Sequence, residues 1–248
     1  MPSWIEQSVS RGILTSRYPK TAATEDEAPL TAHAPLPAPG APTLARKISS
    51  CPVGAISDTT VDQGKCIRCA RCLPEGFAFT GPVESATRSR TNLQTDSGNP
   101  TARAEPAAPL LALGRSLHVF MIDVGSCNAC NLEVLALANP FYDSQRLGIF
   151  FTNSPRHADV LLVVGIPTAE MLEPLRRAYD ALPAPKAVVA VGACPISGGA
   201  FAGTPGLVAR LGDLLPVDVF LPGCPPCPIS ILDGLLKLNG RDQRSRSR

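Results

Sequence analysis

Four of the nine cysteines in this 248-residue chain lie between positions 51 and 72. Three of them have two residues between neighbours, in the stretch CIRCARC, and the fourth stands upstream before a proline: Cys66, Cys69, Cys72 and Cys51. Iron bridged by sulfide requires soft, anionic ligands, which thiolates provide. The two-residue spacing lets a tight loop wrap one face of a cubic cluster while Cys51 closes it from the far side. Zinc is the alternative, but zinc sites usually present two separated Cys-x2-Cys pairs, so the overlapping spacing favours iron and sulfur.

This stretch resembles part of a two-cluster bacterial ferredoxin. Such ferredoxins carry the run Cys-x2-Cys-x2-Cys-x3-Cys-Pro, and the fourth cysteine of a run ligates the other cluster. Here the first run keeps only its last member, Cys51, and the second run keeps its first three. By this crossed rule all four cysteines belong to one cluster. The resemblance therefore implies a single [4Fe–4S] centre in a ferredoxin-like segment over residues 46–80.

A second group of four cysteines follows hydrophobic stretches that we predict to be strands: Cys127, Cys130, Cys194 and Cys224. Ligand sites in open α/β sheets lie outside the carboxyl ends of the strands, so these thiols could converge at one edge and hold a second [4Fe–4S] cluster. The nearby glycines would allow the close turns that a bulky cluster requires; they are Gly125, Gly192 and Gly223. Cys227 is left over and is interpreted as a bystander.

Two other interpretations of this second group stay open. The stretch CNAC, between a predicted strand and a predicted helix, could be a thioredoxin-type redox pair. That interpretation leaves Cys194 and Cys224 unexplained. Zinc bound by the same four thiols is the other alternative.

The elements around the second group alternate between two kinds. The runs LHVFMIDV, LGIFFT, ADVLLVVGI, KAVVAVG and VDVFLPG are predicted strands, and NLEVLALAN, AEMLEPLRRAYDAL and ISILDGLLKLN are predicted helices. Continuous Val/Leu/Ile runs alternating with helices indicate a parallel sheet covered on both faces. We predict an α/β fold, a flavodoxin-like doubly wound parallel sheet over residues 116–240.

The rest of the chain is predicted to be largely irregular. Residues 1–45, rich in Ala, Pro and Thr, are expected to be mostly disordered or to form a docking arm. Residues 81–115 are polar and punctuated by Pro and Gly, which predicts a flexible linker, and residues 241–248 form a basic tail. The net charge of +2 argues against nucleic acid as a partner. No secretory signal or membrane span is apparent, which predicts a cytoplasmic protein with reduced thiols.

Four motifs carry a resemblance to a known family: GSCNACNLEV, SPRHADVLLVVG, PKAVVAVGACPISGGAF and VDVFLPGCPPCPISIL. Over about residues 117–238 they are similar to the B subunit of NADH–quinone oxidoreductase. They resemble even more the small subunit of membrane-bound [NiFe] hydrogenases of the formate hydrogenlyase type. Complex I subunits carry two adjacent cysteines in the first motif, whereas this chain has Cys-x2-Cys, as on the hydrogenase side. The chain shows neither the C-terminal cluster domain nor the export signal of uptake hydrogenases, which points to the energy-converting group.

The resemblance implies roles for further residues and for partners. The second cluster would lie nearest the active site of a large catalytic subunit, which is either a [NiFe] hydrogenase or a complex I-like subunit. Glu133, one helical turn after Cys130, becomes a candidate for proton coupling or docking, with an exposed helix glutamate as the alternative. Arg156 and His157 would lie in a loop that faces the large subunit close to the cluster, with a plain surface histidine as the alternative.

These observations together predict an electron-transfer subunit that relays electrons through two [4Fe–4S] clusters. Its expected partners are the large subunit, other electron-transfer subunits and, indirectly, membrane subunits. It would lie on the cytoplasmic side, peripheral to the inner membrane through the complex. Two alternatives are a quinone-reducing subunit of the complex I type and a soluble redox sensor based on its clusters.

Overall fold

The computed structural model describes residues 4–21, 23, 35–37, 51–57, 60–96, 108–208 and 210–241. Within these residues the strands, in chain order, are β1 Pro35–Pro37, β2 Thr60–Asp62, β3 Phe77–Phe79, β4 Gln94–Asp96, β5 Leu117–Asp123, β6 Ile149–Phe151, β7 Val160–Val164, β8 Ala187–Val191 and β9 Val219–Leu221. The helices are α1 Trp4–Arg11, α2 Ala129–Ala136, α3 Leu172–Ala181, α4 Ala193–Ser197, α5 Leu211–Leu214 and α6 Pro228–Leu238.

The central sheet has five parallel strands in the order β6-β5-β7-β8-β9. Numbered from β5, this is the order 2-1-3-4-5 of flavodoxin-like sheets. Every residue of β7 and β8 is buried, as expected for parallel strands with helices on both faces. The predicted α/β fold and its five strands are confirmed.

Each face of the sheet has its own hydrophobic core because alternate side chains of a strand point to opposite faces. Leu162 of β7 packs in the cluster that contains residues of α2 and α6. Leu161, its neighbour, packs in the cluster that contains residues of α3 and α5. Because the strands are parallel, the loops that follow β5, β8 and β9 emerge at the same edge of the sheet.

Part of the predicted linker is ordered against the sheet. Thr87 forms an antiparallel bridge with Phe220, which adds a residue to the outer side of β9. Arg88 donates to the carbonyl of Lys237 at 2.9 Å, and Leu93 is buried in the core beside α3. For residues 81–96 the structure therefore differs from a flexible tether, because backbone pairing and one buried leucine hold a polar stretch in place. Residues 97–107 lie outside the described residues.

The cysteine-rich segment is a small unit of short elements. Strand β2 pairs with β4 and β1 pairs with β3, both antiparallel. Ile56, Val61 and Phe77 form a small core of their own, against which Cys51 and Cys72 pack. The boundaries predicted for this segment, 46–80, are thus too short at the carboxyl side, since β4 belongs to the same unit.

The part of the predicted arm that is described contacts the α/β domain. Ser16 N–H donates to the carbonyl of Phe141 at 2.8 Å, and Arg146 donates to the carbonyls of Ser16 and Tyr18. Tyr18 is fully buried and its hydroxyl donates to Asp233 at 3.3 Å. Residues 24–34 and 38–50, which complete the predicted arm and begin the predicted ferredoxin-like segment, lie outside the described residues, as does most of the basic tail.

Candidate iron–sulfur cluster sites

Four cysteines line one small pocket: Cys51, Cys66, Cys69 and Cys72. The rest of the lining is mostly apolar and includes Ile56 and Phe77. None of the nine cysteines forms a disulfide bond. Four thiols around one mainly apolar pocket match the ligand set of a [4Fe–4S] cluster.

Backbone geometry in the CIRCARC loop directs amide groups toward sulfur. Arg68 and Ala70, the residues on either side of Cys69, have φ of 53° and 64°. Such left-handed conformations are uncommon outside glycine and often occur at functional sites. Arg68 N–H donates to Cys66 Sγ at 3.4 Å, and Ala55 N–H donates to Cys51 Sγ at 3.2 Å. Hydrogen bonds to cluster sulfurs tune the reduction potential of a cluster. The backbone here therefore places N–H donors where they can stabilise negatively charged sulfur atoms.

Burial makes the thiolate form expensive at this site in the absence of a metal. It raises the pKa of the Cys66 thiol to about 11; Arg68 opposes the rise, and the nearby Cys72 and Cys51 thiols add to it. A metal ligand must be deprotonated. Bound iron would therefore add to the positive charge of Arg68 and favour the thiolate form.

The second group of cysteines lies at the carboxyl edge of the central sheet. Cys127 and Cys130 follow β5, Cys194 lies in the first turn of α4 directly after β8, and Cys224 follows β9. The pKa of the Cys130 thiol is raised to about 12, chiefly by burial and in smaller part by the charges of Cys194, Cys224 and Cys127. Cys130 is therefore within electrostatic range of the other three thiols. All four cysteines lie in loops or a helix start at the carboxyl edge of the sheet, as the sequence pattern led us to expect.

Two glycines let the backbone pass close to these sulfurs. A Cβ atom on Gly192 would lie 2.9 Å from Cys130 Sγ and 3.3 Å from the carbonyl oxygen of Gly223. A Cβ on Gly199 would lie 3.3 Å from Cys194 Sγ. Both glycines have positive φ, at 88° and 54°. Side chains at these positions would fill the space around the thiols, which supports the sequence argument for close backbone approach.

An aspartate that the sequence analysis did not single out organises the first cysteine loop. The Asp123 carboxylate accepts hydrogen bonds from Gly125 N–H at 2.9 Å, Ser126 Oγ at 2.6 Å and Asn131 Nδ2 at 2.6 Å. Burial alone would raise the pKa of Asp123, but these hydrogen bonds outweigh it and lower the pKa. Asp123 therefore ties the end of β5 to α2 and fixes the loop that carries Cys127. In the sequence, Asp123 could have been recognised as the acidic residue that ends the apolar run at residues 119–122.

Among the described residues, no group of three or more His, Cys, Asp or Glu side chains is placed to hold a metal ion. The case for clusters rests on the donor type, because a [4Fe–4S] cluster takes four thiolate ligands with hydrogen-bond donors near the sulfurs. Each group supplies four cysteines, and Cys51 and Cys66 accept backbone hydrogen bonds.

Glu133 lies beside the second group. It is half-buried on α2, and burial raises the pKa of its carboxyl. Its charge acts on the thiols of Cys130 and Cys227. The candidate residue is therefore close to the sulfurs.

Arg156 and His157 lie elsewhere. They are exposed residues of a short 3-10 helix, Pro155–His157, which precedes β7. The loop is tied to the amino-terminal half of β5, because Asp159 N–H donates to the carbonyl of His118 at 2.8 Å. Strand β6 is short and ends level with the start of β7, so this loop leaves the sheet there, whereas the cysteines follow the carboxyl ends of β5, β8 and β9. That Arg156 and His157 face the large subunit close to the second cluster stays a prediction.

Cys227 is a buried residue at the start of α6, three positions after Cys224. Burial is the main reason that its thiol has a raised pKa, and Ser230, Arg68 and Glu133 modify it. It is near the second group without being required to complete a set of four.

Comparison with known proteins identifies the class. The probable membrane-bound hydrogenase subunit mbhJ of Pyrococcus furiosus is 48% identical over 124 residues, which are 50% of this chain and 74% of that protein. Formate hydrogenlyase subunit 7 of Escherichia coli is 41% identical, over 52% of this chain and 50% of that protein. The B subunit of NADH-quinone oxidoreductase from Citrifermentans bemidjiense is 43% identical, over 48% of this chain and 69% of that protein. The fold, the site and these relatives together define a subunit of an oxidoreductase complex.

The chain belongs to the family of the 20 kDa subunit of NADH ubiquinone oxidoreductase, whose model matches residues 127–238. The resemblance inferred from the four motifs is confirmed. The matched region begins at Cys127, so the ferredoxin-like segment lies outside it.

Proposed function

We propose that this chain is the electron-transfer subunit of a membrane-associated hydrogenase or complex I-like oxidoreductase. It holds one [4Fe–4S] cluster on Cys51, Cys66, Cys69 and Cys72 and a second on Cys127, Cys130, Cys194 and Cys224. When bound, the clusters supply one-electron redox chemistry. The observation that carries the proposal is that one chain holds four cysteines around one pocket and four more at the carboxyl edge of the parallel sheet.

The protein residues around the thiols support this function by excluding water and by supplying donors. Cys130 and Cys194 are buried, and the first cavity is lined by apolar side chains. Low exposure and amide–sulfur hydrogen bonds both set the potential of a cluster. The chain's own contribution is to position the clusters and to control their environment.

A partner subunit fits the outer face of α2. Leu132 and Leu135, three residues apart on this helix, are 59% and 63% exposed. They flank Glu133, beside the second group of thiols. An apolar pair next to a redox site supports docking of the large catalytic subunit there, with Glu133 at the interface as a docking or proton-coupling group. Docking would place the chain at the membrane through the complex, on the cytoplasmic side; within the described residues no helix has the length and apolar character to cross a membrane.

The test is a metal and spin count on the full chain, purified anaerobically together with its complex. We expect about eight irons and about eight sulfides per chain, and two distinct paramagnetic centres after reduction. About four irons with one centre would refute the two-cluster proposal. Nickel in the large subunit would assign the complex to the hydrogenase type. Absence of nickel together with quinone reductase activity would favour the quinone-reducing alternative, which the likeness to the NADH-quinone oxidoreductase relative supports.

A further inference from the structure

The side chain of Arg68 reaches from the first cysteine group to the second. Arg68 lies between Cys66 and Cys69 in the CIRCARC loop, and its Nη2 donates to the carbonyl of Pro222 at 3.3 Å. Pro222 lies two residues before Cys224, in the loop after β9. One residue of the first loop thus forms a hydrogen bond with the loop that carries a cysteine of the second group.

The charge of Arg68 acts on sulfur atoms on both sides. The thiol groups that interact with its guanidinium are Cys66, from its own loop, and Cys224 and Cys227, from the other. The residue is half-buried, so this charge is less screened by water than a surface charge. An arginine guanidinium cannot be deprotonated in a protein. Arg68 is therefore a fixed positive charge between the two groups of thiols.

The cysteine-rich segment also packs against α4 through contacts that do not involve Arg68. Ser197 Oγ, at the end of α4, donates to the carbonyl of Gly64 at 2.9 Å. A Cβ on Gly64 would lie 2.8 Å from Ile196 Cγ2, also in α4. Helix α4 carries Cys194, so the residue two positions before Cys66 lies directly on the helix that carries a proposed ligand of the second group. The two groups of cysteines are therefore joined by a packed interface.

We propose that Arg68 couples the two cluster sites, a role that rests on the proposed electron-transfer function. Its positive charge favours the reduced, more negative state of both clusters, and its hydrogen bond to Pro222 keeps the two loops in register. Arg68 ligates no metal and is a positioning residue for electron transfer between the sites. Electrons that enter at one cluster would then pass to the other within this chain, without a separate subunit between them.

The first test compares Arg68→Gln with Arg71→Gln in the full chain after anaerobic cluster reconstitution. Arg71 is an exposed arginine of the same loop, so its charge is screened. We expect Arg68→Gln to lower both midpoint potentials in a titration monitored by electron paramagnetic resonance. The expected change is about tenfold in each reduction equilibrium, about 59 mV for a one-electron couple. Arg71→Gln should shift them by much less. Equal potentials in both variants would overturn the proposal.

A second measurement uses the unsubstituted protein and does not depend on the variants folding. With both clusters reduced, two centres whose cysteine loops are joined by the hydrogen bond of Arg68 to Pro222 should broaden or split each other's resonance lines. Two centres that give independent, unbroadened signals would overturn this inference while leaving the two-cluster function intact. A single centre would instead refute the proposed function itself. Arg68→Lys, which keeps the charge but loses the planar fork, should retain potentials closer to those of the unsubstituted protein than Arg68→Gln does.

Discussion

At the scale of single residues, cysteine spacing was informative because ligand chemistry is encoded by residue type. Eight sulfurs could be grouped from sequence, and the structure places four of these cysteines around one pocket and four at the carboxyl edge of the sheet. The positions of Arg68 and Asp123 could not be recognised in the same way. Arg68 is one of 23 basic residues in the chain, and its interaction partner is 154 positions away. Its significance depends on tertiary packing, which residue type alone does not reveal.

At this scale we predict that Cys194 is a cluster ligand and that Cys227 is not. Replacing Cys194 by Ala should remove a ligand and reduce the iron content from about eight to about four per chain. Cys227→Ser is the matched control, because Cys227 is also a buried thiol of the same edge, and it should retain about eight irons. Iron analysis and resonance spectra of the reconstituted variants check both. Loss of about four irons in Cys227→Ser would show that Cys227 is a ligand.

At the scale of elements, hydrophobic patterning predicted the five strands of the sheet, because parallel strands buried on both faces read as continuous apolar runs. Strand β7, VLLVV, is the clearest case. The hydrophobic pattern did not reveal that residues 81–96 are packed against the α/β domain. Their ordering depends on backbone hydrogen bonds between Thr87 and Phe220, which any residue type can form, and on a few buried apolar residues: Val83, Ala86 and Leu93. The level at which the Arg156 loop leaves the sheet could not be predicted either, because it is set by the end of the short strand β6, which composition does not reveal.

Helix α6 contains a buried ion pair that yields a stability prediction. Lys237 Nζ lies 3.1 Å from Asp233 Oδ2, and both side chains are almost completely buried. Removing one member of such a pair leaves an uncompensated buried charge and costs about 3–5 kcal/mol. Lys237→Met should therefore lower the free energy of unfolding by about that amount, measured by denaturant titration of the metal-free protein.

The chain offers a matched control on α3. Arg177 and Glu173 form the same type of i,i+4 pair at 2.7 Å, but both are exposed. Arg177→Met should change the free energy of unfolding by only about 0.3–0.5 kcal/mol. Similar losses in the two variants would indicate that burial of the α6 pair has no energetic consequence.

At the scale of the whole molecule, the cysteine-rich segment and the α/β domain share an interface. The separation of the two proposed clusters depends on it. Polar contacts such as Ser197 to Gly64 and Arg90 to Asp62, at 2.9 and 2.7 Å, fix the cysteine-rich segment and the polar stretch that follows it. Leu93 of that stretch is buried in the core of the α/β domain. The cysteine-rich segment is thus packed against the domain, so the electron transfer that we propose between the two sites would require no motion of one relative to the other.

Gly64 is the residue through which this interface can be tested. A Cβ at this position would lie 2.8 Å from Ile196 Cγ2 and 3.0 Å from Leu93 Cδ1, so Gly64→Ala should force the segment away from α4. We expect faster amide hydrogen exchange in residues 60–96 and a weaker magnetic interaction between the reduced clusters. Gly212→Ala is the control, since a Cβ there meets nothing within 4 Å. If Gly64→Ala matched the control in both exchange and spin interaction, the interface would not determine how the two sites are held.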